Sequence, residues 1–260
     1  MGYRLLCLDA GFTLLSPRHT LADALSGVLA TDGHEITEEE LRAAWEEADR
    51  WFWDEYHRPD NDTWSDDTRI EDYWRQYHGV MLERLGVDAR REVLDRILAS
   101  QFSTDAWELY PDVEPMLTAL GAVDGLRIGI VSDWGSNLRP IVAQLGIDRY
   151  LDFVLPSGAV GVAKPNPAFY RMALDRAGVM PGEGVMVGDS YRADVRGAWG
   201  AGMDAVWLNR HEGIRITPAD EPVPDDVRII RSLDELPGII HAGGPLPRGE
   251  ALAIQPPLSS

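Results

Sequence analysis

Between Leu126 and Leu208 short apolar runs alternate with amphipathic stretches, and this alternation limits the possible folds more than any other feature of the chain. Leu126–Ser132, Asp152–Pro156, Gly184–Gly188 and Ala205–Leu208 read as strands, with Val227–Arg231 a further candidate. Helices are predicted between them over about 112–122, 136–146, 167–178, 191–201 and 232–236. Strands taking turns with helices imply a parallel sheet covered on both faces. One more buried strand, Tyr3–Leu8, ends at Asp9 but lies far upstream. The intervening stretch predicts at least four helices, near 20–31, 37–56, 67–85 and 88–102, broken at Gly33, at the Pro59–Asp62 loop and at Gly86. Thr37 followed by Glu38, Glu39 and Glu40 is a capping-box start, because hydroxyl and carboxylate satisfy free backbone N–H groups. The fold class expected is therefore α/β: a Rossmann-like parallel-sheet core over 1–17 and 105–240, with an α-helical bundle inserted at 18–104. The Pro- and Gly-rich stretch 241–260 reads as a flexible tail.

At 260 residues, 45% of them hydrophobic and 26% charged, the chain can bury one large or two modest cores. No apolar run approaches the roughly 20 residues of a membrane span, and Met1–Cys7 runs into an aspartate without the long apolar region of a signal peptide. A cytoplasmic protein is expected. A net charge of -19 repels nucleic-acid phosphates and anionic lipid surfaces, which excludes both as default partners. A small soluble molecule remains, and oligomeric state is not legible. Cys7, the only cysteine, has no internal partner and reads as a buried, inert thiol. Lys164 is the only lysine; every other basic side chain is arginine. A surface position needs only a cation, so a lysine retained against that background marks a place where a compact ammonium must point at one atom.

In an open parallel sheet, ligands gather outside the carboxyl ends of the strands. Asp9, Ser132 and Asp189 end predicted strands there, and Lys164 lies beyond another. Two converging carboxylates repel unless a cation lies between them, which makes Asp9 and Asp189 candidate ligands for a hard ion such as Mg²⁺. Asp9 could also act as a nucleophile, with Ser132 and Lys164 holding the oxygens of a phosphoryl group.

The runs Leu8-Asp9-Ala-Gly-Phe-Thr13, Val131-Ser-Asp133, Ala163-Lys164-Pro and Val187-Gly-Asp189-Ser-Tyr-Arg-Ala-Asp194 resemble, in order, the four motifs of the haloacid dehalogenase superfamily. The closest resemblance is to members with a helical cap inserted after the first motif, and it extends from Tyr3 to about Arg210. It implies a Mg²⁺-dependent hydrolase, a phosphatase of small phosphomonoesters, working through an aspartyl-phosphate. Asp9 and Lys164 would be catalytic, and Ser132, Asp133 and Lys164 would line the phosphate pocket. The metal would be held by Asp9, the backbone carbonyl of Gly11, Asp189 and Asp194. Caps in this family set substrate choice by closing over the site.

Two positions depart from the family pattern. The aspartate that normally stands two residues after the nucleophile, and protonates the leaving group, is Gly11. Its loss costs roughly 10²–10⁴-fold and should hurt alkyl phosphates most. Asp133 stands where asparagine is usual and adds a negative charge beside the phosphate pocket; a protonated Asp133 could take over part of the lost proton transfer. Arg18 and His19, at the entrance to the insertion, are weaker substitutes. Trp45, Trp51, Trp53, Trp64 and Trp74 have helical spacing and read as core, with some facing the cleft. Competing readings are a non-catalytic protein that keeps the phosphate site for binding or interaction, and a 2-haloacid dehalogenase, whose family pattern carries tyrosine where Gly11 stands.

Overall fold

The computed structural model describes residues 2–18, 25–27, 29–30, 36–58, 61–210 and 223–247. Its strands are β1 (Leu5–Leu8), β2 (Leu15–Pro17), β3 (Trp107–Leu109), β4 (Arg127–Ser132), β5 (Phe153–Pro156), β6 (Gly184–Gly188), β7 (Asp204–Leu208) and β8 (Ile229–Ile230). β1 is buried throughout, and its pleat divides it between two cores. Leu6 and Leu8 enter one, Leu5 and Cys7 the other. Such a strand belongs in the middle of a sheet. β1 pairs in parallel with β4 on one side and β6 on the other, giving a six-stranded order β5-β4-β1-β6-β7-β8.

Helices cover both faces, as the alternation predicts. α4 (Val113–Gly121), α5 (Leu138–Gln144) and α9 (Leu236–Ala242) supply apolar side chains to the first core, and α7 (Pro167–Ala177) to the second. Each fully buried aliphatic side chain in these cores contributes about 1.5–3 kcal/mol through its removal from water. Before them in the chain, α1 (Glu38–Tyr56), α2 (Asp67–Arg84) and α3 (Arg91–Gln101) pack on one another around a third core that includes Ala44, Ala48, Tyr77, Met81, Leu82 and Ile97. The capping box of α1 forms as expected: Thr37 Oγ1 accepts from the Glu40 N–H, and Glu40 accepts from the Thr37 N–H.

Four details differ from the sequence expectation. β2 and β3, of three residues each, form an antiparallel ribbon where the chain leaves the sheet for the helical block and returns from it. The Ser157–Val160 segment is a short helix, α6. The predicted 191–201 helix is a π-helical turn, Tyr191–Arg196, running into α8 (Gly197–Gly200). The stretch read as a tail is partly ordered structure: His241 and Ala242 finish α9, and Leu246 packs on the first core. The predicted helix over 20–31 is helical at 25–27 and 29–30. His19, Gly33, Pro59 and the tail residues 248–260 lie outside the described residues.

Arg210, just beyond β7, ties the sheet's edge to the loop after β1. Its guanidinium makes a two-pronged pair with Asp112 at 2.7 and 2.9 Å and donates to the Thr13 carbonyl at 2.8 Å. Asp112 also accepts from the Leu233 N–H at 2.8 Å and the Ser232 hydroxyl at 2.9 Å. Bidentate pairing of this kind fixes orientation as well as distance.

Candidate active site

The strand order switches direction at β1: the chain moves outward through β4 and β5, then crosses back to β6 on the opposite side. A crevice opens at the carboxyl ends where such a switch occurs. Asp9 follows β1, Ser132 ends β4 and Asp189 follows β6, so the topology brings these three residues to that crevice. The turn beyond Asp9 is tight. The N–H groups of Leu14 and Leu15 both donate to the Ala10 carbonyl at 2.9 Å, and Phe12 adopts a left-handed φ of 54°. Non-glycine residues held in that conformation cost of order 1 kcal/mol or more and cluster at functional sites.

Lys164 lies on the loop between α6 and α7, with only 2% of its side chain exposed. Its ammonium donates to Asp9 Oδ1 at 2.5 Å and to Asp194 Oδ1 at 2.6 Å. The lone lysine is therefore a buried bridge between two carboxylates. Asp133 holds that loop from behind: its Oδ1 accepts the Lys164 backbone N–H at 2.9 Å. Its carboxylate faces the lysine loop, a placement the sequence expectation of a phosphate-pocket residue did not include. Ser132 is buried at its strand end, and among the described residues its hydroxyl is not hydrogen-bonded.

Asp189 follows β6 directly, and Asp194 approaches the lysine from the π-helical turn. Asp194 Oδ2 accepts the Ser190 N–H at 2.9 Å, so its carboxylate is fixed from both ends, and Thr13 Oγ1 donates to Asp189 Oδ1 at 3.2 Å. Ser190 caps the turn by accepting the Ala193 N–H at 3.1 Å. Oxygens of Asp9, Asp189 and Asp194 all lie within 4.8 Å of one another.

Packing three carboxylates this closely has an electrostatic cost. Burial, reinforced by the charges of Asp9 and Asp194, raises the Asp189 carboxyl well above its usual range. Burial and Asp9 raise Asp194 to about 6, against the pull of Lys164. Lys164 shows the reverse balance: burial disfavours its charge, but Asp194, Asp9 and Asp133 outweigh burial and hold it protonated. Cys7, also buried, is pushed up to about 12 and is inert as a nucleophile. The donor set fits a hard divalent cation, whose charge would relieve the repulsion that now lifts the carboxyl groups. The Gly11 carbonyl, among the described residues, accepts no hydrogen bond that would compete.

Three residues at this site carried no signal in the sequence reading. Tyr56, the last residue of α1, is within electrostatic reach of Asp133, Arg192, Asp194 and Lys164, so the helical block projects over the crevice at that point. Arg192, in the π-helical turn, acts electrostatically on that phenol. Trp134, one residue beyond Asp133, stands against Gly11, and a Cβ built there would lie 3.3 Å from its ring. Aromatic residues with core-like spacing and an arginine in an acidic motif reveal such roles only once the helical block has been placed on the sheet.

The sequence pattern of the haloacid dehalogenase-like hydrolases matches residues 3–202. Phosphoserine phosphatase from Thermus thermophilus is 35% identical over 179 residues, covering 62% of this chain and 70% of the relative. Several other curated relatives are matched over about half of their own length. Among solved structures, a haloacid dehalogenase-type phosphatase from Thermococcus onnurineus is 27% identical with a TM-score of 0.58, across 92% of this chain and 98% of that one. A 2-haloacid dehalogenase from Pseudomonas syringae is 25% identical with a TM-score of 0.60, across 92% and 99%. A pattern matched from Tyr3 to Gly202 takes in β1 to β6 and every strand-end residue described above, and the chain belongs to the haloacid dehalogenase-like hydrolases.

Proposed function

We infer that this protein is a Mg²⁺-dependent phosphatase of small phosphomonoesters in which Asp9 is the nucleophile. The observation that carries the reading is the buried bridge: Asp9, Lys164 and Asp194 within 2.5–2.6 Å contacts, with Asp189 drawn into the same cluster. The names of relatives point two ways, since phosphatases and dehalogenases share this fold, so the chemistry has to come from the residues. A dehalogenase needs the nucleophilic aspartate and a halide pocket, but no crowd of buried carboxylates. A phosphatase needs positive charge around the phosphoryl oxygens, and a carboxylate cluster that gathers a divalent cation provides it.

Asp9, Asp189, Asp194 and the Gly11 carbonyl would hold the ion, which when bound neutralises phosphoryl charge. One Asp9 oxygen is already engaged by the Lys164 ammonium, leaving the second to attack phosphorus and form an aspartyl-phosphate. Lys164 orients the attacking carboxylate and faces the negative charge that develops on the phosphoryl group. Ser132 supplies a hydroxyl free to bind a phosphoryl oxygen. Asp133 positions the lysine loop through its backbone N–H. Helices α1 to α3 act as a cap over 18–104, closing the crevice to bulk water.

Hydrolysis of p-nitrophenyl phosphate with Mg²⁺ and with chelator tests this reading. Turnover that needs the ion and disappears in Asp9→Asn supports it. Halide release from 2-haloacids that persists in chelator identifies a dehalogenase instead, and tight phosphate binding without turnover identifies a binding protein.

A further inference from the structure

The contact between Trp134 and Gly11 sits two residues from the nucleophile, and chance packing does not account for how firmly it is held. A Cβ at residue 11 would come 3.3 Å from Trp134 Cζ3, tighter than most side-chain contacts, and would lie in ordinary contact with Cε3 at 3.9 Å. Trp134 is anchored on several sides. Its N–H donates to Ser157 Oγ at 3.1 Å, its carbonyl accepts the Gly158 N–H at 3.0 Å, and its ring meets Trp107 edge-on with centroids 4.6 Å apart. Trp107 is fixed in turn by β3 pairing and by its indole N–H, which donates to the Gln101 carbonyl at 3.2 Å. An aromatic pair of this geometry is stabilised beyond its burial, so the ring resists displacement. The volume into which a side chain at residue 11 would grow is filled by indole.

We propose that Trp134 is a specificity-determining residue that forms the leaving-group wall in place of a side chain at residue 11, selecting aryl and enol phosphates over alkyl phosphates. The proposal rests on the phosphatase reading above and names its substrate class. When the Asp9 oxygen bonds to phosphorus, the bond to the leaving oxygen breaks and its electron pair stays on that oxygen. Residue 11 has no proton to give. Tyr56 does not fill the gap, because burial raises its phenol above the usual range and makes it a poor acid at neutral pH, and neither does Asp133, whose carboxyl is turned to the lysine loop and engaged by the Lys164 N–H. The leaving oxygen therefore departs unprotonated, which is fast only where the charge is delocalised, as in a phenolate or enolate. These groups also present a flat face for the indole. Water then attacks the aspartyl-phosphate and releases dihydrogen phosphate, restoring the Asp9 carboxylate.

The test pairs kinetics with stability. With Mg²⁺, kcat/KM is measured on substituted phenyl phosphates and simple alkyl phosphates for wild type, Trp134→Ala, Gly11→Asp and the double variant. Wild type should favour the phenyl series by 10²-fold or more, with a steep dependence on leaving-group acidity. The double variant should gain at least tenfold on alkyl phosphates while that dependence flattens, and neither single variant should do so. In parallel, Gly11→Ala should lower the Tm of wild type and leave the Tm of Trp134→Ala unchanged. Turnover with no dependence on leaving-group acidity, or an equal Tm loss in both backgrounds, overturns the proposal while leaving the phosphatase standing. No turnover of any phosphate overturns the phosphatase reading and this proposal with it.

Discussion

Asp133 shows how one atom's difference alters a site. Its Oδ1 accepts the Lys164 N–H, a bond that asparagine would make equally well, so the charge itself is surplus to positioning. Burial is the main reason its carboxyl rises from 3.8 to about 7, with Asp9 and Asp194 adding to the effect and Lys164 opposing it. Between those two values the folded protein keeps a proton that the unfolded chain has already released. Stability from this group therefore falls as pH rises from about 4 to about 7. Asp133→Asn removes that loss while keeping the hydrogen bond. Urea midpoints of wild type and variant in chelator, taken across that range, should diverge as pH rises, the variant becoming the more stable. Parallel curves would mean that Asp133 is ionised throughout.

At the scale of elements, one contact between the helical block and the core is held by a single carboxylate. Asp67, the first residue of α2, accepts the Ser136 N–H at 2.9 Å from the loop that follows β4. Gly158, in α6, makes room for it, since a Cβ there would collide with the Asp67 carboxylate and come 3.0 Å from Ile70 Cδ1. The contact is a latch between block and core. Gly158→Ala should push Asp67 off Ser136 and loosen the block, seen as faster amide exchange at the start of α2 and a KM raised several-fold, with the sheet unaffected. Unchanged exchange at 67–70 would show that the latch contributes nothing. This contact was not legible in the sequence, and neither was the β2–β3 ribbon. Strands of three residues show no period, and Leu15 pairs with Leu109 across the whole insertion. By contrast β1, β4 and β6 were legible because strands buried on both faces read as continuous apolar runs. Asp9, Asp189 and Lys164 were legible for a related reason: a strand's end fixes where its next residue lies. Trp134 and Tyr56 were not, because apolar spacing records burial and does not record which cavity a ring faces. The π-helical turn escaped because its period differs too little from that of an α-helix over six residues.

Over the whole molecule, a net charge of -19 is concentrated rather than merely spread, because three carboxylates of one site share a small buried volume. Without a cation the folded state carries this repulsion and the unfolded chain does not. Asp189, raised well above its usual range by burial and by Asp9 and Asp194, shows the direction of that burden. Its sign follows from linkage: a carboxyl group raised on folding weakens the folded state as pH rises above the unfolded value. Two effects should then appear together in thermal unfolding at pH 8. In chelator, Asp189→Asn should melt above wild type, because the substitution removes a carboxyl group whose ionisation folding opposes. With Mg²⁺, wild type should rise and overtake the variant, since an ion bound only by the folded state stabilises it by about 2.7 kcal/mol at a hundred times its dissociation constant. The crossing of the two proteins is the decisive feature, because general charge screening by added salt would lift both melting temperatures alike and leave their order unchanged. Potassium chloride at matched ionic strength provides that comparison. A wild type that responds to Mg²⁺ no more than to potassium chloride would remove the ion from the site and, with it, the charge on which the phosphatase chemistry of Asp9 depends.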